Sequence, residues 1–148
     1  MRPSDVGRRI ERDHEASRTR LDELWRVIGT LSTGGVLAFE RVLRLSRALH
    51  DVLTEQLKLE GRLLVPALRE VDAWGKLRAE GLLSRHRKRS TELTALSDSC
   101  SRGMTHGFAD ELRRFIVGRW ADMARADRHI LSSGLLRDDV LGIDVDGG

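Results

Sequence analysis

The scarcity of helix-breaking residues constrains this chain more than any other feature. Only two prolines occur in 148 residues, at Pro3 and Pro66, and tyrosine is absent. Leu, Ala, Arg and Glu, which adopt helical conformations at little cost in side-chain freedom, dominate the sequence. Because short clusters of Gly, Ser and Thr interrupt an otherwise helical composition, we expect an all-α fold made of long helices.

Four helices are predicted between these interruptions. The first begins at a cap supplied by Ser4 and ends at about Leu31, where a run of small residues and glycines follows. The other three follow in chain order over about residues 36–71, 76–100 and 107–131.

The connections between the predicted helices are only a few residues long. Short connections between long amphipathic helices favour antiparallel neighbours. We therefore expect one domain, an antiparallel up-down-up-down four-helix bundle, over residues 1–133. Residues 134–148 form a short acidic C-terminal tail, with a turn predicted at about Leu135–Leu141.

Composition argues against several other classes of protein. The 26 basic residues nearly balance the 23 acidic ones, and a net charge of +3 is too small to indicate a nucleic-acid partner. The single cysteine, Cys100, cannot form an internal disulfide, and the charged N-terminus lacks the apolar centre of a signal peptide. No segment approaches the roughly 20 apolar residues of a membrane-spanning helix. The expectation is a cytoplasmic protein with no membrane partner.

Each predicted helix carries a polar or metal-capable side chain within its apolar stripe. These stripes are recognised by apolar residues spaced alternately three and four apart. Buried polar groups are costly without partners, and buried carboxylates are the most costly. Their distances from the helix ends place these side chains at similar levels along an up-down bundle. They are therefore expected to meet in one polar cluster. They are His14 on the first helix, Gln56 and Glu60 on the second, His86 on the third and Asp127 on the fourth.

The segments around these side chains resemble the hemerythrin-like (HHE cation-binding) family. QLKLEGRLLVPAL at Gln56–Leu68 is similar to the family's second helix, in which a histidine is followed four residues later by a glutamate. The resemblance covers nearly the whole chain up to about Ser132, in the family's order. The other similar segments are RIERDHE at Arg9–Glu15, LLSRHRK at Leu82–Lys88 and DMARADRHIL at Asp122–Leu131.

This resemblance implies a non-haem di-iron centre, or a site for another divalent metal, inside the bundle. By position, Glu60 and Asp127 would bridge two metal ions, with His14 and His86 as terminal nitrogen ligands. Carboxylate and imidazole groups are ligands that iron and zinc accept. The function implied is a metal-binding domain that takes part in oxygen, nitric oxide, peroxide or iron sensing. Its partners would be the metal ion and dioxygen or nitric oxide.

Three positions depart from the family's pattern. Gln56 and Asp122 stand where the second-helix and fourth-helix histidines belong, and Leu82 replaces a histidine often found on the third helix. Asp122 and Gln56 stay candidate oxygen ligands, so a reduced and more oxygen-rich site is expected. The alternative is a degenerate, metal-free helical bundle that acts as an interaction or regulatory module.

Enzymatic activity is less expected than binding. No pairing of a nucleophile with a base is visible, so any catalysis would depend on a metal. A ferritin-like centre needs a Glu-x-x-His motif on each of two helices, and only Glu11 and His14 form one. Pairing of two chains into a homo-oligomer would use exposed apolar side chains, for which Trp25 and Trp74 are candidates.

Overall fold

The computed structural model describes residues 1–102, 107–131 and 134–138. Over these residues the chain is all-helical and contains no strand, which confirms the predicted fold class. A π-helical turn, Asp127–Leu131, continues the last helix directly. The four α-helices are α1 (Pro3–Ile28), α2 (Leu31–Val71), α3 (Gly75–Ser101) and α4 (Phe108–Ala126).

The connection between α1 and α2 differs from the prediction. α1 ends at Ile28 rather than Leu31, and Leu31 already begins α2. The chain then bends inside α2 at Gly35, which has a φ of 60° and a ψ of −147°. Residues with a Cβ rarely adopt this conformation, so the glycine is required for the bend.

The predicted cap at Ser4 is wrong. α1 begins one residue earlier, at Pro3, whose fixed φ and missing N–H suit the first turn of a helix. Ser4 instead bonds to Asp138 beyond α4, through its backbone N–H (3.1 Å) and its hydroxyl (2.8 Å). These bonds hold the described part of the tail against the start of α1.

The apolar core consists of two separate clusters. The larger, which we call cluster A, is built around Leu21, Leu53, Leu93, Phe115 and Met123. The smaller, cluster B, includes Ile10, Leu64, Leu68, Leu82, Ile130 and Leu136. Each fully buried aliphatic side chain contributes about 1.5–3 kcal/mol. The residues between the two clusters are polar.

One buried position of α4 differs from its apolar spacing. Trp120 lies four residues after Ile116 and three before Met123, which favours a core position, but it is only half buried, and its ring lies against that of Trp25 with the centroids 5.3 Å apart. The inward position belongs to Arg119, which is 2% exposed. Arg119 lies three residues after Ile116 and four before Met123, so it fits the same spacing as Trp120.

The four helices enclose a common interior. α1 contacts α2, α2 contacts α3, α3 contacts α4, and α1 also contacts α4. Leu136 packs into cluster B, so the first tail residues lie on the bundle. The tail after Asp138, which includes residues 139–141 of the predicted Leu135–Leu141 turn, lies outside the described residues. No helix in the described ranges has the length and apolarity needed to cross a bilayer.

A buried ionic network at the candidate metal centre

Four of the six candidate ligands meet between the two apolar clusters. His14 Nε2 lies 3.0 Å from Glu60 Oε1, and His14 Nδ1 lies 2.9 Å from Asp127 Oδ1. His86 Nε2 lies 3.0 Å from Glu60 Oε2. One side chain from each helical segment therefore enters the same network, which we call the ionic layer.

The local sequence explains why these side chains point inward. His14 follows Ile10 by four residues and precedes Leu21 by seven, so all three share one face of α1. Glu60 follows Leu53 by seven residues and precedes Leu64 by four, so these three share one face of α2. Burial of the apolar neighbours therefore brings His14 (0% exposed) and Glu60 (1% exposed) into the interior.

Arg119 is the member of the ionic layer that the sequence prediction missed. Its Nη2 donates to Glu60 Oε1 at 2.6 Å, and both side chains are 2% exposed. Its Nε has no hydrogen-bond partner among the residues that the structure describes. A buried guanidinium bound to a buried carboxylate neutralises the charge that a metal ion would otherwise neutralise.

The electrostatics of Glu60 follow from these partners. Burial alone would raise the pKa of Glu60 because it disfavours the charged form. Arg119, together with hydrogen bonds from His14 and His86, outweighs burial and holds the pKa of Glu60 well below its ordinary value. Glu60 is therefore a carboxylate, not a carboxylic acid, at neutral pH.

Asp127 is the most accessible member of the ionic layer. Its carboxylate is 31% exposed, and it accepts hydrogen bonds from His14 and from Arg18 Nη2. The His14 ring therefore bridges the two carboxylates, with Nε2 facing Glu60 and Nδ1 facing Asp127.

The other two candidate ligands lie outside the ionic layer. Gln56 accepts a hydrogen bond from the Ser17 hydroxyl and donates through Nε2 to the Asp13 carbonyl at 2.5 Å, so its amide links α1 to α2. Asp122 pairs with Arg89, with Nε 2.5 Å from Oδ2, in the contact between α3 and α4. Neither side chain reaches Glu60 through a hydrogen bond.

These residues do not fit a di-iron centre. Histidine and carboxylate ligands bind a metal ion at about 2.0–2.2 Å through free lone pairs. Here the ring nitrogens instead face carboxylate oxygens at hydrogen-bond distance, and a guanidinium bonds the carboxylate expected to bridge. Over the described ranges, no three or more His, Cys, Asp or Glu side chains are grouped so as to hold a metal ion.

Fold and site together define a helical bundle whose interior is divided by a layer of paired charges. No family model, no curated protein and no solved structure matches this chain. The resemblance to hemerythrin-like domains therefore rests on the motifs in the sequence.

One signal in the sequence could have identified Arg119. It lies four residues after Phe115, seven after Leu112 and four before Met123, so it occupies the apolar stripe of α4. If Arg119 is assigned to the apolar stripe of α4 in place of Trp120, the stripe contains a cation that can pair with Glu60. The predicted cluster contains two carboxylates and no arginine, and buried carboxylates require a neighbouring cation.

Proposed function

We propose that this protein is a metal-independent helical bundle that acts as an interaction or regulatory module. The ion pair between Arg119 and Glu60 carries the proposal, because it supplies the buried positive charge from within the chain. Large apolar side chains at the surface support an interaction role, since a bundle of this size can bury such groups internally. Apart from Met1, the most exposed of them are Leu37, Val36, Trp74 and Leu77.

We further propose that the four helices run up-down-up-down with antiparallel neighbours. Bonds from His14 to Glu60 and from Ser17 to Gln56 support this course for α1 and α2, because residue numbers rise on one helix as they fall on the other. The short connection between Val71 and Gly75 supports it for α2 and α3.

Metal analysis with a matched variant tests metal independence. Untagged protein would be incubated with Fe²⁺ without oxygen, or with Co²⁺, desalted and assayed for metal content and thermal stability. We expect the wild type to retain fewer than about one ion per ten chains and its Tm to be unchanged by metal or chelator. Arg119→Ala removes the internal cation, so this variant should gain Co²⁺ binding, visible in the absorption spectrum. Arg114→Ala, at the surface, is the control.

A second candidate function is the hemerythrin-like metal site with iron and with oxygen or nitric oxide as ligands. One observation favours it: His14, Glu60, His86 and Asp127 converge at one point. For metal to bind, the Arg119 side chain would first have to leave Glu60. Stoichiometric iron in the wild type, lost in Glu60→Ala and Asp127→Ala, would favour this candidate and reject metal independence.

A further inference from the structure

A groove between α3 and the end of α4 contains two arginines without a carboxylate partner among the described residues. The groove has a volume of about 380 Å³. Leu77, Gly81 and Arg85 form its α3 wall, and Arg125 and Ile130 form the opposite wall. This groove is separate from the ionic layer, which lies in the interior.

The positive charge in the groove is only partly offset. Partial burial lowers the pKa of Arg85, and the nearby charge of Arg125 lowers it further, so the two guanidiniums repel each other. Asp122 attracts Arg85, but it is already bonded to Arg89.

The third arginine of the groove has its own partner. Arg78 Nη1 donates to both oxygens of Asp72, at 2.7 and 2.8 Å. Its position is therefore set by the turn between α2 and α3. The unbalanced charge belongs to Arg85 and Arg125.

We propose that this groove binds a phosphate monoester, with the phosphate between Arg85 and Arg125 and the organic substituent against Leu77. A phosphate monoester presents three terminal oxygens, enough for two guanidinium forks, whereas a carboxylate has two oxygens and suits one fork. Its charge of about −1.5 to −2 at pH 7 offsets two arginines. Leu77, which is 63% exposed, offers an apolar wall.

Gly81 contributes to the space for such a ligand. A Cβ at this position would lie 3.5 Å from Arg85 Nη1, so the guanidinium lies close over the glycine. A larger side chain would compete with the ligand for the volume beside Arg85. The inference deepens the proposed interaction role by naming a ligand class. It also stands apart from the ionic layer, so either proposal can fail without the other.

An NMR titration of the full chain tests the site, with phenyl phosphate and inorganic phosphate as probes. We expect saturable shifts at residues 77–85 and 125–130. Arg85→Gln combined with Arg125→Gln should weaken phenyl phosphate binding by at least about tenfold. Arg87→Gln combined with Arg114→Gln removes the same charge outside the groove and should change binding by less than about twofold.

Two further arms identify the substituent and the source of the ligand. Leu77→Ala should weaken binding of phenyl phosphate and leave inorganic phosphate unchanged. The protein would be tested on phosphatidylcholine vesicles with and without phosphatidic acid. Binding that requires both phosphatidic acid and the two arginines would identify a lipid headgroup as the ligand. Binding of the soluble probe without binding to either vesicle would identify a free monoester. The absence of saturation up to about 10 mM phenyl phosphate would overturn the proposal. An equal loss of binding in the control pair would also overturn it.

Discussion

The residue that decides the chemistry of this interior is an arginine. Arg119 is among the largest fully buried side chains of the protein, and it bonds a glutamate that is equally buried. Two isolated charges at this depth would each cost several kcal/mol, so each side chain depends on the other. The histidines and carboxylates of the ionic layer are therefore paired with a cation that the chain itself provides.

A double-mutant cycle measures this dependence. Arg119→Met leaves a buried carboxylate without its cation, and Glu60→Gln leaves a buried guanidinium without its anion; each should cost about 3–5 kcal/mol of unfolding free energy. The double variant should cost less than the sum of the two, with a coupling of about 2 kcal/mol or more in urea denaturation. Additive costs would show that the two side chains act independently.

The acid stability of the fold should depend on Glu60. Its pKa is well below its ordinary value in the folded protein, whereas the unfolded chain has a value of about 4.3. The stabilisation by the ionised group is complete above that pH and is lost as the pH falls towards the folded-state value. The stability advantage of the wild type over Glu60→Gln should therefore shrink below about pH 4.

The control for this pH measurement lies on the same helix. Glu55 is exposed, and its one ion pair among the described residues is with Lys58, at 3.1 Å, so Glu55→Gln should follow the wild type at every pH. A constant difference between wild type and Glu60→Gln from pH 7 to pH 3 would contradict a depressed pKa at Glu60.

At the scale of the helices, the sequence predicted the existence and order of the helices better than their boundaries. The break at residues 72–75 is confirmed, because Asp72 accepts from the Trp74 N–H at 2.8 Å and forms a turn that short polar side chains favour. The α1–α2 boundary was misplaced because Gly34 and Gly35 were read as the end of a helix. They lie inside α2, with the bend confined to Gly35.

Four of the five side chains predicted to form one polar cluster do converge, whereas Gln56 bonds elsewhere. His14, Glu60, His86 and Asp127 could be placed together because their spacing puts each on an apolar stripe. Arg119 was missed because a buried arginine is tolerable only with a tertiary partner, and that partner, Glu60, lies on another helix. Asp122 was predicted as a ligand because it lies five residues before Asp127. Spacing along one helix does not show that Arg89, on α3, is its partner.

The turn between α2 and α3 offers a test at this scale. A Cβ at Gly75 would lie 1.9 Å from the Leu68 carbonyl oxygen, which belongs to the backbone and cannot move aside cheaply. Gly75→Ala should therefore lower the unfolding free energy by roughly 2–4 kcal/mol. Gly7→Ala, where the nearest atom lies at 3.8 Å, should be neutral or stabilising by up to about 1 kcal/mol, as expected for alanine in a helix. Equal effects of the two changes would contradict the close approach at Gly75.

At the scale of the whole molecule, the ionic layer separates cluster A from cluster B. Bundles of this size can be stabilised by apolar packing throughout, so the layer is not the most stable interior available. Its charges are paired, and apolar side chains of similar volume often stabilise a protein interior as much as a buried ion pair, or more.

Replacing the four most buried members of the layer together should therefore stabilise the protein, in contrast to removing one member. The variant His14→Leu, Glu60→Leu, His86→Leu and Arg119→Leu should have an unfolding free energy equal to the wild type or up to about 4 kcal/mol higher. Arg119→Leu alone should be destabilised, and urea denaturation of both variants compares the two. A quadruple variant less stable than Arg119→Leu would show that the layer stabilises the fold beyond charge compensation.

The position of the layer between two apolar clusters also fixes how the helices align along their length. Leucine-rich stripes tolerate sliding by one turn, because one aliphatic contact is exchanged for another. Sliding α4 by one turn, about 5.4 Å, would carry Arg119 in among aliphatic side chains and leave Glu60 without its cation. The layer therefore disfavours structures in which one helix is shifted along its axis relative to the others. One axial alignment of the four helices is strongly preferred.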